Sequence, residues 1–437
     1  MAVDQGKIVA LAKRALFRPV AVRNAFTQTA VHSSRGGSLL ASEISDILKR
    51  IDRKEVIELT QELVRIPSVT GCEGDVAEYI QGRLKAFGLK TEKQNIVEKR
   101  FNVIGRMDGA SSENSLMLHG HMDTVPTFDM EEPYSGKIIG DSIYGRGACD
   151  QKGGIAASMI ALKAIRESGL KLKKGILFAG VIDEEAEHRG SYHLAKKGPR
   201  AEMAVITDQS NLEAEIGCKG SIPIRITTKG KAVHGSTPWL GINAISKMVK
   251  IIEVMNQLSL GETKIEGLGN FKTTINIGLI QGGNAYNIVP DKCSIWIDLR
   301  VVAGDDNQTI LKQFKEALRQ LKLKDKEIDA TMEVARPDWK WATILRRGLK
   351  PFLVPQDSSV VVSLSEAIAA TGGKLRLSYS NGYVDADFLV NDASIPSVVY
   401  GPGGEGNAHS PKERVKIDQL VQAAKVYAYM AAKEASK

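Results

Sequence analysis

The chain has 437 residues, 43% of them apolar and 25% charged, ordinary proportions for a globular protein with room for two domains. No run of about 18 uncharged apolar residues occurs, which argues against a transmembrane helix. Cys72, Cys149, Cys218 and Cys293 are scattered without a CxxC pair, which suits a reducing compartment and disfavours a thiolate zinc site or a disulfide framework. Of the net charge of +8, residues 1–42 hold +5 (Lys7, Lys13, Arg14, Arg18, Arg23 and Arg35 against Asp4), so the remainder is nearly balanced and no nucleic-acid partner is implied.

Residues 1–42 are basic, poor in acids and rich in hydroxyls, and resemble an organellar (mitochondrial) transit peptide, a disordered extension or the product of a start codon placed too early. Without a mitochondrial address the expected location is cytoplasmic. One helical pattern is expected over 42–65, broken at 66–71 by Ile66-Pro67, and a second over 75–87, closed by Gly88. Extended segments follow to Gly109. A short apolar run then ends on His119, His121 and Asp123, alternate positions that share one side of an extended chain.

The same design repeats downstream. Gly145–Asp150 leads into a helix over 151–169, where Asp150 reads as an N-cap whose carboxylate is held in a fixed orientation. A strand over 175–182 ends on Asp183, Glu184 and Glu185, and a third over 201–206 ends on Asp208. Strand ends that each deliver a His or a carboxylate point to one cleft edge, because ligands in open α/β sheets bind at the carboxyl ends of the strands.

Residues 218–336 change character. Strands near 221–229, 273–280, 292–302 and 328–334 and helices near 243–258 and 308–321 give the order β-α-β-β-α-β, a ferredoxin-like α+β unit. A connector over 336–355, a helix near 358–371 and a strand ending at Tyr400 follow. Gly401, Gly403 and His409 lie in the next loop, and an amphipathic helix spans 417–432.

Imidazole and carboxylate ligands suit Zn²⁺, with Co²⁺ or Mn²⁺ as substitutes. Two histidines and three carboxylates exceed one tetrahedral catalytic zinc and fit two divalent ions sharing a bridging carboxylate. The motifs 119–126, 145–154, 183–185 and 401–411, in this order, resemble the dinuclear zinc amidohydrolases of the M20 metallopeptidase family, which includes acetylornithine deacetylase and succinyl-diaminopimelate desuccinylase.

That resemblance covers about residues 45–435 and implies an α/β fold: a zinc-aminopeptidase-like catalytic domain, a mixed sheet flanked by helices, in two parts (43–216 and 336–437). An inserted ferredoxin-like lid and dimerisation domain would span 217–335. His121, Asp150, Glu185, Asp208 and His409 would ligate metal, with Asp150 the bridge. Glu184 would be the general base and Asp123 would orient His121, while His119 would be a non-ligand. His234 would be the lid histidine that helps bind the oxyanion, often supplied by the partner subunit. Asn287 and Arg300 would hold a substrate carboxylate, and backbone amides at Gly401 and Gly403 would approach substrate.

The implied activity is removal of an acetyl- or succinyl-type acyl group from an N-acyl amino acid, with a dipeptidase or carboxypeptidase as the alternative and a non-catalytic scaffold as a remote third. A homodimer formed through the lid is expected, with neither a nucleic acid nor a membrane as partner. Asp385 is a further possible supporting residue of the site. His188 and His193 match no ligand motif and read as surface residues, and His32 in the basic extension is uninformative.

Overall fold

A computed structural model describes residues 35–335, 341–404 and 406–437. The basic extension read over residues 1–42 lies outside the described residues through 34, His32 included, as does the start of the 336–355 connector, while its last residues, 35–42, are helical.

The first helical segment is two helices, α1 (Arg35–Lys49) and α2 (Arg53–Arg65), rather than one. Asp52 separates them: its extended backbone and its side chain, which accepts the Lys54 N–H at 2.9 Å, cap α2. Helix α3 (Gly74–Ala86) precedes an antiparallel pair, β1 (Lys90–Val97) and β2 (Arg100–Met107). Strand β3 (Asn114–His121) carries the first histidines of the described residues, and β4 (Ile138–Ile139) and β5 (Ser142–Tyr144) pair antiparallel in a small separate sheet.

Helix α4 (Gly153–Ser168) begins later than the sequence pattern suggests. Asp150 is not its N-cap: it lies in an irregular turn, Ala148–Lys152, with non-helical backbone at φ −122°, ψ 88°. Then come β6 (Gly175–Val181), α5 (Arg189–Lys197), β7 (Met203–Ile206) and β8 (Ala214–Cys218). Every residue of β3, β6 and β7 is buried, as befits parallel strands covered on both faces.

The segment from β9 (Gly220–Lys229) to β14 (Asp329–Val334) builds a separate sheet. Between them lie α6 (Ala244–Asn256), a short hairpin of β10 (Glu262–Ile265) and β11 (Gly269–Lys272), β12 (Thr274–Gly282), β13 (Lys292–Val301) and α7 (Asn307–Lys324). The sheet order is β12-β13-β9-β14, antiparallel throughout. Alternate β9 residues Ile222, Ile224 and Ile226 are buried with Met248 and Ile251 of α6 and Phe314 of α7, so both helices share one core with the sheet.

The chain returns through α8 (Ala342–Arg347), β15 (Phe352–Leu353), α9 (Ser359–Ala370), β16 (Leu377–Ser380), β17 (Ser397–Val399), β18 (Arg414–Lys416) and α10 (Ile417–Ala435). The main sheet runs β1-β2-β6-β3-β7-β17-β8-β15, with β16 beside β8. Strands β3, β6, β7 and β17 are parallel, so their carboxyl ends reach the same edge. The last of them in sequence, β17, sits between β7 and β8. Helix α4 is buried nearly all round and packs against α10.

Candidate active site

At the shared edge, β3 ends on His121 and β6 is followed by Asp183–Glu185. His121 is 1% exposed, with Nδ1–H donating to the Asp123 backbone carbonyl at 3.0 Å. Its Nε2 meets Asp150 Oδ1 at 3.0 Å. The other Asp150 oxygen lies 3.2 Å from His409 Nε2, which also meets Glu185 Oε1 at 3.1 Å. Ligand atoms of His121, Asp150 and Glu185 all fall within 4.8 Å of one another. Both Asp150 oxygens therefore face an imidazole.

Asp123 holds more than the His121 ring. Its Oδ1 accepts the Glu184 N–H at 3.0 Å, and its Oδ2 accepts the Glu185 N–H at 3.1 Å and the Thr70 hydroxyl at 2.8 Å. It therefore ties the end of β3 to the acidic turn after β6. Its nearer hold on His121 is through its backbone carbonyl, the carboxylate being 3.6 Å away. Asp183, the first of the three acids, is buried in an ion pair with Arg100 at 2.7 Å, which leaves Glu184 and Glu185 for the site.

Electrostatics show a pocket short of positive charge. Burial and the charge of Asp150 push the Asp208 carboxyl up to about 7. Burial also raises Glu184, with Asp385, Glu185 and Asp208 adding to the rise, and it raises Glu185 beside Asp150. Burial opposes the charged forms of His121 and Asp150, yet their mutual hydrogen bond and those to Asp123 and His409 win, raising His121 and lowering Asp150. Hydrogen bonds to Asp150 and Glu185 lift His409 to about 10. Buried carboxylates that repel one another beside two imidazoles match the nitrogen and oxygen donor set of divalent metals. The residues fit the group.

Asp208 is buried and interacts with Asp150 through charge, but its hydrogen bond is local, from the Gln209 N–H at 2.7 Å. Gln209, which the sequence did not mark, donates from Nε2 to Asp150 Oδ2 at 3.1 Å. Glu413 was missed as well. One of its oxygens accepts the N–H groups of Cys149 and Asp150 at 3.2 Å each, and the other pairs with buried Arg146. These two carry the irregular turn that presents Asp150. A Glu two residues after the 409–411 motif was the only available signal, and it does not reveal a backbone contact.

Other expectations need correction. Gly401 N–H donates to Ser210 Oγ at 3.0 Å and Gly403 N–H to Gln419 Oε1 at 2.8 Å, so neither amide is left for substrate. Their glycines are needed for packing: a Cβ on Gly401 would stand 2.2 Å from the Asp208 carbonyl, and one on Gly403, at φ +87°, 2.4 Å from Cys149 Cβ. His188 is not a surface residue but 4% exposed, its Nδ1 donating to Asp385 Oδ1 at 2.8 Å. His193 is half-buried. His119 is buried against Ser191 Oγ at 2.9 Å, and burial lowers its pKa to about 4, so it stays neutral.

The residues expected from the inserted segment are elsewhere. His234 is exposed and bonds Ser236 Oγ at 2.7 Å, Asn287 is exposed with its carbonyl accepting the Gly235 N–H at 2.8 Å, and Arg300 Nε pairs with Asp298 at 3.0 Å. None of the three bonds to the His121–Asp150 group.

Comparison with known proteins gives the family. The family model described as Peptidase family M20/M25/M40 matches residues 117–433. The chain is 28% identical to an N-formyl-4-amino-5-aminomethyl-2-methylpyrimidine deformylase of Bacillus subtilis, over 88% of this chain and 96% of that protein. It is 29% identical to a probable carboxypeptidase of Aspergillus terreus, over 94% and 93%. In fold it is similar to a tripeptidase of Staphylococcus aureus, with a TM-score of 0.73 at 24% identity, over 88% of this chain and 99% of the other.

Proposed function

The chain belongs to peptidase family M20/M25/M40 and is a metal-dependent amide hydrolase, and from this premise we propose that it removes a small acyl group, acetyl or succinyl in type, from an N-acyl amino acid. The observation that carries the reading is the meeting of His121, Asp150, Glu185 and His409 with Glu184 held beside them. We propose that these four and Asp208 hold two divalent ions, Zn²⁺ by preference with Co²⁺ or Mn²⁺ as substitutes, Asp150 bridging. Such ions polarise the scissile carbonyl and make water a nucleophile near neutral pH.

The protein's own groups then do the following. Glu184 takes the proton of the attacking water and delivers it to the leaving amine, a role that its burial-raised pKa suits. Asp123 keeps that carboxylate in register through the backbone of 184 and 185. Residues 217–335 form a lid whose closure brings His234 to the oxyanion, with Asn287 and Arg300 toward a substrate carboxylate. Gln209 steadies the bridge.

The lid is also proposed as the homodimer contact, with His234 reaching the partner's site. Support comes from the exposed edge strand β12 with Leu279 and Ile280, from Ile245 and Val249 on α6, and from exposed Trp239, Tyr286 and Ile288. Full activity from a monomer in sedimentation would remove the partner's His234 from the scheme. Four free cysteines agree with a reducing, cytoplasmic setting, or a mitochondrial one if residues 1–42 are a transit peptide.

A second reading, a carboxypeptidase or dipeptidase, is favoured by the similarity to the Aspergillus protein over nearly the whole chain. A side-by-side panel of N-formyl, N-acetyl and N-succinyl amino acids and free dipeptides decides between them. The base assignment is tested by Glu184→Gln, expected to lower kcat by about 10²–10⁴ with metal content retained. A metal-loaded variant of normal activity ends that assignment.

A further inference from the structure

A second group of side chains meets Glu184 away from the four converging ligands. Single ligand atoms of Glu184, His188 and Asp385 lie within 4.8 Å of one another. His188 precedes α5 with φ 56°, and Asp385 lies just before the turn Phe388–Asp392. Asp385 is 2% exposed, and while its Oδ1 takes the His188 N–H, its Oδ2 has no hydrogen-bond partner among the described residues.

A buried carboxylate oxygen without a donor is costly. A carboxylate on one ring nitrogen also fixes an imidazole in the tautomer and orientation that present the other nitrogen to a metal. Among the described residues, no ion pair brings a lysine or arginine to Asp385. Tyr383 packs edge-on against His188 at 5.1 Å and Phe388 lies 6.0 Å away. Arg347, over the Phe388 ring, is engaged by Asp387 at 2.6 Å and Asp392 at 2.7 Å.

We propose that Glu184, His188 and Asp385 form a further divalent-cation site, separate from the His121–Asp150–Glu185–His409 group, and that an ion bound there inhibits hydrolysis by taking the Glu184 carboxylate. The inhibitory half rests on Glu184 being the proton carrier; the binding half does not. Excess metal then suppresses the same enzyme that a first portion activates, and it does so without displacing any ligand of the activating site.

The test is equilibrium dialysis of the metal-loaded, full-length protein against rising Zn²⁺, paired with initial rates in the same buffers. The wild type should bind one equivalent more than His188→Ala, and its rate should fall at least tenfold as that equivalent fills. The variant should keep the activating limb and lose the inhibitory one. Asp385→Asn, which preserves volume and an acceptor for His188, provides the second variant if the first does not fold, and should weaken the extra equivalent.

Equal stoichiometry in wild type and variants up to millimolar Zn²⁺ overturns the site. So does His188→Ala with a lowered kcat and intact inhibition, the result of a role confined to supporting Glu184. An extra equivalent bound without inhibition overturns the inhibitory half. Failure of the Glu184 assignment shows separately, as turnover by metal-loaded Glu184→Gln.

Discussion

The carboxyl edge of the main sheet and the four-stranded sheet of β9, β12, β13 and β14 handle functional groups in opposite ways. At the first, His121, Asp150 and Asp208 are buried, with partners at 2.7–3.2 Å, and each partner is itself held. At the second, His234 and Asn287 are exposed, His234 bonding Ser236 in its own loop and Asn287 accepting the Gly235 N–H of that loop. The first is assembled by packing; the second, on the proposed scheme, acquires a use only by moving. Preorganisation of charged ligands has an energetic cost that packing must cover, whereas a mobile group carries its cost into each turnover.

Four measurements can break or sharpen that contrast. The largest effect is expected for Arg146→Met, which strands the buried Glu413 carboxylate: about 3–5 kcal/mol of stability lost in urea unfolding. A loss no bigger than that of a surface substitution would show that the edge is less rigidly built than its contacts imply. Next comes His234→Ala, with kcat down about 10²–10³ while metal content and the unfolding midpoint stay put. Altered metal content would mean that the inserted sheet is coupled to the edge after all.

Asp123→Asn should weaken metal binding by about 10–100-fold in competition with a chelator, because it loosens the backbone of Glu184 and Glu185 together. The smallest effect concerns His119. Its pKa of about 4 when folded lies below the ordinary 6.5, so between those values the unfolded chain holds a proton that the folded one lacks. Stability is therefore lost as pH falls from 6.5 toward 4, and His119→Asn should reduce the loss between pH 7.5 and 4.5 by about 2 kcal/mol. An unchanged slope would mean that the β3 end admits water.

How much of this could be read from residues alone depends on which part of the residue acts. The apolar runs of β3, β6 and β7 and the polar groups that end them are side-chain signals, and they placed His121, the acidic turn and Asp208 at one edge. The alternation in β9 likewise gave the ferredoxin-like order, although the short β10–β11 hairpin, with few apolar residues, escaped. Backbone roles were invisible. Glu413 and Asp123 act on N–H groups, Gly401 is explained by the carbonyl of Asp208, and the Asp150 turn departs from the helix that follows it. His188 was misjudged because an acidic, polar stretch reads as solvated surface, while its left-handed backbone turns the ring inward to Asp385.

The position of β17 has a consequence for how the chain is made. Ribosomes deliver β7 and β8 more than 170 residues before the strand that belongs between them, since β17 comes at Ser397–Val399. Until then β7, a strand whose every residue is apolar and buried in the finished fold, presents an unpaired edge, and such edges pair with other chains. The growing protein therefore depends on protection through much of its synthesis, and ending the chain before Ser397 removes an interior strand of the sheet rather than its rim.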